Sequence, residues 1–336
     1  MGEPRMKASE RSRGVRHDDL IVIDGLIVSN WGPDVFKALR AGGITATNAT
    51  CAVWEGARAT LDNIAQWLQW FDRHGDLIVP VRKTADIEAA KKSGKTGIIL
   101  GFQNGSPIED RLDYLALYKQ LGVGIIQLTY NTQNLIGSGC YEGRDTGLSD
   151  FGREVVAEMN RVGIAVDLSH VGEKTSDDAI AASREPVVFS HVLPAELKKH
   201  QRNKETRQMK AVVDKGGLVG TTMFPPFLPK GAASTVDDYA EIIEWMVDRL
   251  GEDHVAYGTD FTQGYDDRFF EWITRDKGYG RWLTKFGEVK NPRGIERIEE
   301  TPNLTAALER RGWKSARIEK IMGRNWISYL KRVWHE

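Results

Sequence analysis

The chain has little cysteine, no long apolar run and no excess of either charge. Its 336 residues include two cysteines, Cys51 and Cys140. No CxxC pair occurs, which excludes a zinc ribbon and a thioredoxin-like dithiol. A disulfide is not expected in a chain without an export signal. No apolar stretch approaches the roughly 18–20 residues of a membrane span. Residues 1–19 carry Arg5, Lys7, Arg11, Arg13 and Arg16 and lack the apolar core of a secretory signal, so they are expected to form a flexible tail on a cytoplasmic protein. Met6 stands where an N-terminal myristoylation signal would need Ser or Thr. With 46 basic and 47 acidic residues, the net charge is −1, which gives no electrostatic reason to expect nucleic acid or a membrane surface as partner. There is no GxGxxG after the first strand-like segment and no phosphate loop, which argues against nucleotide binding. Low-complexity linkers and short internal repeats are absent too.

What is present is a series of eight apolar, β-branched runs of strand length. They cover residues 20–24, 43–48, 96–101, 123–129, 164–168, 186–190, 217–222 and 255–259. A further short run, 77–81, reads as an extra strand or a loop. Helical patterns lie between them. In residues 60–74 the apolar face is Leu61, Ile64, Trp67, Leu68 and Phe71, with Thr60 as the expected cap. Asp150 is the expected cap of a helix with the face Phe151, Val155, Val156 and Met159, ended by Gly163. Tyr239, Ile242, Ile243, Met246, Val247 and Leu250 mark another, and residues 303–308 and 318–333 close the chain with helices. The strands are apolar throughout, the mark of a parallel sheet covered on both faces. The fold expected is α/β: a single (β/α)8 TIM barrel over residues 20–336 with C-terminal helices. A doubly wound open sheet is the alternative. The long charged and aromatic stretch 266–300 is expected to lie over the barrel mouth.

In such a barrel the C-terminal strand ends form one catalytic rim. In order they supply Asp24, Asn48, Gln103, Tyr130, His170, His191, Thr222 and Asp260. The two Ser-His pairs, Ser169-His170 and Ser190-His191, follow adjacent strands, so their imidazoles can converge on one metal ion. That requires their side chains to lie within roughly 8 Å of each other, because Zn–N bonds are only about 2.0–2.1 Å long. The other histidines lie in the tail (His17), at a helix end (His74), in a loop (His200), before a strand (His254) or at the C-terminus (His335). Asp260 reads as proton acceptor or ligand, or as a turn-capping carboxylate. Arg202 can fork onto a substrate carboxylate, or be a solvated surface arginine. Gln103, Tyr130 and Asn134 are candidate hydrogen-bonding partners of a substrate.

On these segments the chain resembles the membrane (renal) dipeptidase family of the amidohydrolase superfamily. The resemblance runs from Ile21 to near Trp334. It rests on Ile23-Asp24-Gly25, on Thr96 to Gly105, on Leu121 to Asn131, and most specifically on Val166-Asp-Leu-Ser-His170, Phe189-Ser-His191, Arg202-Asn203 and Gly258-Thr-Asp260-Phe. It implies an active site with two zinc ions, held by a His-x-Asp pair, a bridging glutamate, two histidines and a late aspartate. The chain departs from that set. Leu26 and Val28 occupy the His-x-Asp positions, Gln103 that of the bridging glutamate, and Tyr130 that of a rim histidine thought to polarise the scissile carbonyl. His170, His191, Arg202 and Asp260 match.

The expected activity is therefore a dipeptidase-like hydrolysis of a small amide or peptide-like metabolite bearing a carboxylate, with at most one Zn²⁺, held by His170 and His191. Water, Asp260, Cys140 or Glu142 would complete that site. Asp260 would handle the proton, Tyr130 would polarise the carbonyl and Arg202 would hold the carboxylate. A non-catalytic small-molecule-binding barrel and a lyase or decarboxylase on the same scaffold are the competing readings. The expected partner is a small molecule, and a homo-oligomer is left open.

Overall fold

The protein is described by a computed structural model covering residues 15–286 and 289–336. All eight expected runs form strands: β1 (Ile23–Ile27), β2 (Ala46–Ala52), β4 (Thr96–Phe102), β5 (Val123–Gln127), β6 (Ala165–Asp167), β7 (Val188–Val192), β8 (Leu218–Thr221) and β9 (Val255–Tyr257). They are parallel and adjacent in the order β1-β2-β4-β5-β6-β7-β8-β9. The ambiguous run 77–81 contains a short strand, β3 (Ile78–Pro80), which pairs outside this path with β4. Backbone bonds from Val28 N to Phe261 O and from Asp260 N to Leu26 O, both 3.0 Å, join the last strand's exit to the first. This is a nearly closed (β/α)8 barrel, and the open-sheet alternative falls. Every residue of these eight strands is buried, because helices cover the outside and side chains fill the inside.

The barrel floor is plugged from the C-terminus. Ile23, Ile99, Ile125, Val188 and Leu218 pack with Trp326, Tyr329, Leu330 and Val333 of the last helix, Asn325–Val333. That helix follows Ser315–Glu319 through one π-helical stretch, Lys320–Arg324. At the level of β7, a Cβ at Gly220 or Gly258 would overlap the Ser190 carbonyl oxygen. These two positions admit only glycine without moving the strand that carries His191.

Two helix expectations change. The helix expected from residue 60 begins a turn earlier, at Ala57–Arg73 with Gly56 as cap, and Thr60 is buried inside it. Leu61 and Leu68 are 39% and 44% exposed. The buried face is turned toward Ala57, Ile64 and Trp67 because Trp67 packs into an aromatic cluster with Trp31, Phe36 and Trp70. In the helix Asp150–Val162, Ser149 is the cap, its Oγ accepting from Gly152 N at 2.8 Å, and Gly163 ends it at φ 74°.

The stretch 266–300 contributes the short helices Asp267–Ile273 and Gly280–Leu283 above the mouth. Of the expected tail, residues 1–14 lie outside the described residues. The remainder is tied down: His17–Asp19 forms a 3-10 turn, with His17 Nδ1 2.7 Å from Thr305 Oγ1 and Nε2 3.0 Å from Gly42 O. Among the described residues, no helix is long and apolar enough to cross a membrane.

Candidate active site

The two Ser-His pairs are organised by a residue that sequence reasoning gave no role. Asp167 ends β6, fully inside the barrel. Its Oδ1 accepts from Ser169 N (3.0 Å), Ser169 Oγ (2.7 Å) and Ser190 N (3.0 Å), and its Oδ2 from Ser190 Oγ (2.5 Å). One carboxylate thus locks the exits of β6 and β7 to each other. Burial pushes its acidity down, and the four donors offset that in part. The signal was in the sequence, as the aspartate of Val166-Asp-Leu-Ser-His170, but its bond to the second pair depends on strand adjacency.

From this clamp the imidazoles face one another, with Nε2 of His170 3.1 Å from Nε2 of His191. The outer nitrogens are held as well. His170 Nδ1 lies 2.7 Å from Asn131 Oδ1, and His191 Nδ1 lies 2.7 Å from Ser190 Oγ. Both rings titrate well below the usual histidine range. Burial is the main cause, followed by the nearby Arg202 and Lys204 charges. They are neutral at pH 7 and offer lone pairs rather than charge.

A small cavity of about 50 Å³ opens beside His170. Its wall includes Asp260, Tyr130, Tyr141 and Phe227 from the barrel side and Phe269 and Phe286 from the cover. Tyr130 stacks on His170 with ring centroids 4.2 Å apart and meets the edge of Trp54 at 5.1 Å. Burial holds its hydroxyl protonated far above the usual tyrosine range. Asp260 sits at φ 61°, in the left-handed region that non-glycine residues seldom occupy. Burial lifts its carboxyl to about 6, partly opposed by the Arg202 charge. A proton acceptor of that acidity suits chemistry near neutral pH. On the other side of Val28 and Phe269, an open cleft of about 480 Å³ runs past Trp31, Trp70, Arg268 and Trp272.

The remaining expected site residues are placed differently. Gln103 is buried, its Nε2 donating to Thr50 Oγ1 at 2.8 Å, and it is not among the cavity-lining residues. Asn134 organises its own loop: its Nδ2 donates to Asn104 Oδ1 (2.9 Å) and Leu128 O (2.8 Å), and its Oδ1 accepts from Ile136 N (2.8 Å). Arg202 is fully buried, not a solvated surface arginine. Its two terminal nitrogens donate to Ser169 O (2.6 Å) and His191 O (2.8 Å), so the fork expected for a substrate grips the two Ser-His backbones, and Nε is left without a partner. Lys204, also buried, donates to Val171 O and lies 5.3 Å from the centre of the Phe189 ring. Burial lowers its ammonium to about 8. Cys140 is pushed up to about 11 by burial and stays a thiol at neutral pH. Glu142 turns away, accepting from Gln133 N at 2.9 Å on an exposed loop.

The donors present fit one metal ion. Two nitrogen ligands at about 2.0–2.1 Å from a tetrahedral zinc stand roughly 3.3 Å apart, close to the 3.1 Å between the two Nε2 atoms. Leu26 and Val28 carry no donor and Gln103 is neutral, and the described residues, the His170–His191 pair included, hold no group of three or more His, Cys, Asp and Glu arranged for a metal.

The sequence model described as membrane dipeptidase (peptidase family M19) matches residues 34–272. An uncharacterized dipeptidase of Schizosaccharomyces pombe is 31% identical over 255 residues, 74% of this chain and 55% of that protein. A dipeptidase of Claviceps purpurea is 29% identical over 279 residues, 82% of this chain and 60% of that protein. The chain therefore spans little more than half the length of these curated relatives. The crystal structure of an amidohydrolase from Pseudomonas aeruginosa superposes with a TM-score of 0.93 at 55% identity, covering 95% of this chain and 98% of that one.

Proposed function

The chain belongs to the membrane dipeptidase family, peptidase family M19, and on that premise we propose that it is a hydrolase of a small peptide-like or amide metabolite, working with a single metal ion. The observation that carries this reading is the pair of neutral imidazoles facing each other at 3.1 Å beside a cavity walled by Asp260. His170 and His191 would hold the ion. Bound zinc supplies Lewis-acid activation of an oxygen and lowers the pKa of its water.

The chain's own groups supply the rest. Asp260, ionised above about pH 6, accepts a proton from the attacking water and returns it to the leaving nitrogen. Tyr130, protonated and packed on His170, offers a donor to a carbonyl oxygen in the cavity. The aromatic wall keeps bulk water away, which strengthens both interactions. Arg202 stabilises the ionised form of Asp260 and fixes the two Ser-His backbones. A carboxylate on the substrate is the finer part of the reading; of the guanidinium nitrogens of Arg202 only Nε is without a partner, and Arg202 is not among the cavity-lining residues. The reading also includes a cytoplasmic setting, supported by two cysteines that are both unbonded.

The test is a turnover assay on dipeptides beside N-acyl amino acids and related amides, with the metal content measured on the same samples. Cleavage of an amide, lost together with the metal in the His170→Ala, His191→Ala double variant, is the expected result. A metal-free wild-type protein that binds these compounds without turning them over would make it a binding protein instead. Efficient cleavage of ordinary dipeptides, with kcat/KM above about 10⁴ M⁻¹s⁻¹, would remove the altered substrate class. An Arg202→Ala variant with unchanged KM for a carboxylate-bearing substrate would remove the carboxylate contact.

A further inference from the structure

The cavity beside the histidines is too small for a whole substrate. At about 50 Å³ it has room for a few water molecules or one small reacting group. Pockets that take up a small-molecule ligand measure about 300–1,000 Å³. The neighbouring cleft, about 480 Å³, falls inside that range. The two spaces share Val28 and Phe269 as lining residues. Val28 stands where the family resemblance implies a metal-binding aspartate, so the change that removes a ligand also makes the edge between the spaces apolar. A ligand lying over this edge crosses it with an apolar segment, because a charged group there would lose hydration without gaining a partner.

Beyond the edge the cleft is aromatic and pre-formed. On the barrel side its wall includes Trp31, Trp67 and Trp70, with Trp67 meeting the other two edge-on at 5.1 and 4.9 Å. On the cover side it includes Phe269 and Trp272, whose ring centroids are 5.5 Å apart. Trp31 Nε1 donates to Thr50 O at 3.1 Å, and Trp272 Nε1 to Glu55 Oε1 at 2.7 Å. Rings anchored by their polar edge offer apolar surface and lose little freedom when a ligand packs on them. One charge in the cleft is open. Arg268, exposed on the cover helix Asp267–Ile273, has no hydrogen bond or ion pair among the described residues. Asp266, the acid among the lining residues, caps that helix, its Oδ1 accepting from Phe269 N at 2.9 Å. Arg202, by contrast, has both terminal nitrogens on backbone carbonyls and lines neither space.

We propose that the cleft is the subsite for an aryl carboxylate: the substrate is an amide whose aromatic ring crosses Val28 and Phe269 and whose carboxylate, beyond the ring, pairs with Arg268. The order of the spaces sets the order of the groups. The amide lies at the histidines, the ring over the apolar edge and among the tryptophans, and the charge at the open arginine. N-acyl aminobenzoates have this order. Placing the amide at the histidines rests on the hydrolase reading above, but the preference of the cleft for an aryl carboxylate does not.

The test uses the full chain, stripped of metal, at pH 7.5, with three probes of equal length titrated by calorimetry. 4-Acetamidobenzoate carries ring and charge, 4-acetamidobenzamide lacks the charge, and trans-4-acetamidocyclohexanecarboxylate lacks the aromatic ring. The first is expected to bind about tenfold more tightly than the benzamide and about 2–10-fold more tightly than the cyclohexane acid. Arg268→Ala should abolish the first difference and leave the affinity for the benzamide unchanged, and Trp272→Leu should abolish the second. In ¹H–¹⁵N spectra the indole signals of Trp31 and Trp272 should move on binding, while those of Trp326 and Trp334 at the barrel floor stay. Equal affinity for the three probes, an acid preference that survives in Arg268→Ala, or unmoved Trp31 and Trp272 signals overturns the proposal. If the probes bind as stated but no amide is cleaved with Zn²⁺ or Co²⁺ added, the hydrolase reading fails and the cleft assignment stands. Amide cleavage that is indifferent to the aryl carboxylate and to Arg268→Ala does the reverse.

Discussion

Replacing Asp167 by Ala should loosen both imidazoles at once while leaving both histidines in place. The carboxylate accepts four hydrogen bonds, two from backbone N–H groups and two from serine hydroxyls, all buried. A buried donor left unpaired costs about 1–3 kcal/mol, so four of them set an upper range of roughly 4–12 kcal/mol. Two effects reduce it. Alanine no longer buries a charge, which the upward shift of the Asp167 pKa by burial shows to be unfavourable. The two hydroxyls, already 3.1 Å apart, can also pair with each other. A net loss on the order of 4 kcal/mol remains, at the upper end of what single substitutions cost and in the class that a broken buried hydrogen-bond network produces. With an unfolding entropy of about 2.1 cal/mol/K per residue, a chain of this length loses about 0.7 kcal/mol per degree, so Tm should fall by about 6 °C. Asp167→Asn keeps one acceptor oxygen and sheds the charge, and should fall by only about 2 °C. Scanning calorimetry on metal-free protein at pH 7.5 measures both shifts, and a Co²⁺ titration of the same samples should show binding weakened in both variants, about 10–100-fold. An Asp167→Ala protein within about 1 °C of wild type would refute the clamp, because four stranded donors cannot be neutral.

Elemental analysis of protein purified without chelator should find no more than one tightly held zinc per chain, since Leu26, Val28 and Gln103 remove the donors of a second; two would refute the one-ion site. Turnover should fall about tenfold per pH unit below about pH 6 as Asp260 takes up its proton, and be lost in Asp260→Asn. The sign for stability is opposite. The native carboxyl, at about 6, keeps a proton that an unfolded aspartate releases nearer 4, so its contribution to stability grows as pH falls between those values. Asp260→Asn should therefore melt no lower than wild type at pH 7.5, and a clear loss of Tm would show that the carboxylate is structural. Gly220→Ala should lower Tm and metal affinity together, because its Cβ would displace the Ser190 carbonyl next to His191; a variant with wild-type values of both would show that the strand accommodates it.

Much of this architecture was legible in the order of residues. Eight apolar runs separated by helical patterns are enough for a parallel barrel, because strands buried on both faces need no polar alternation. The position of a histidine just after a run places it on the rim. Those are local facts, and they carried His170, His191, Tyr130 and Asp260 to one end of the fold. Helix faces were less legible: Leu61 and Leu68 fit the period of their helix yet point outward, because packing around Trp67 chose the rotation. The role of Arg202 was not legible either. An arginine in a loop after a strand can face solvent, a ligand or a backbone, and only the approach of the Ser169 and His191 carbonyls decided it. The same holds for the contacts that give the site its chemistry. Asp167 reaches Ser190 from the neighbouring strand, 23 residues earlier in the chain. Sequence determined which groups stand at the mouth. Tertiary structure decided which lone pairs they present, because hydrogen-bond direction and burial depend on neighbours that the chain brings together only when it closes.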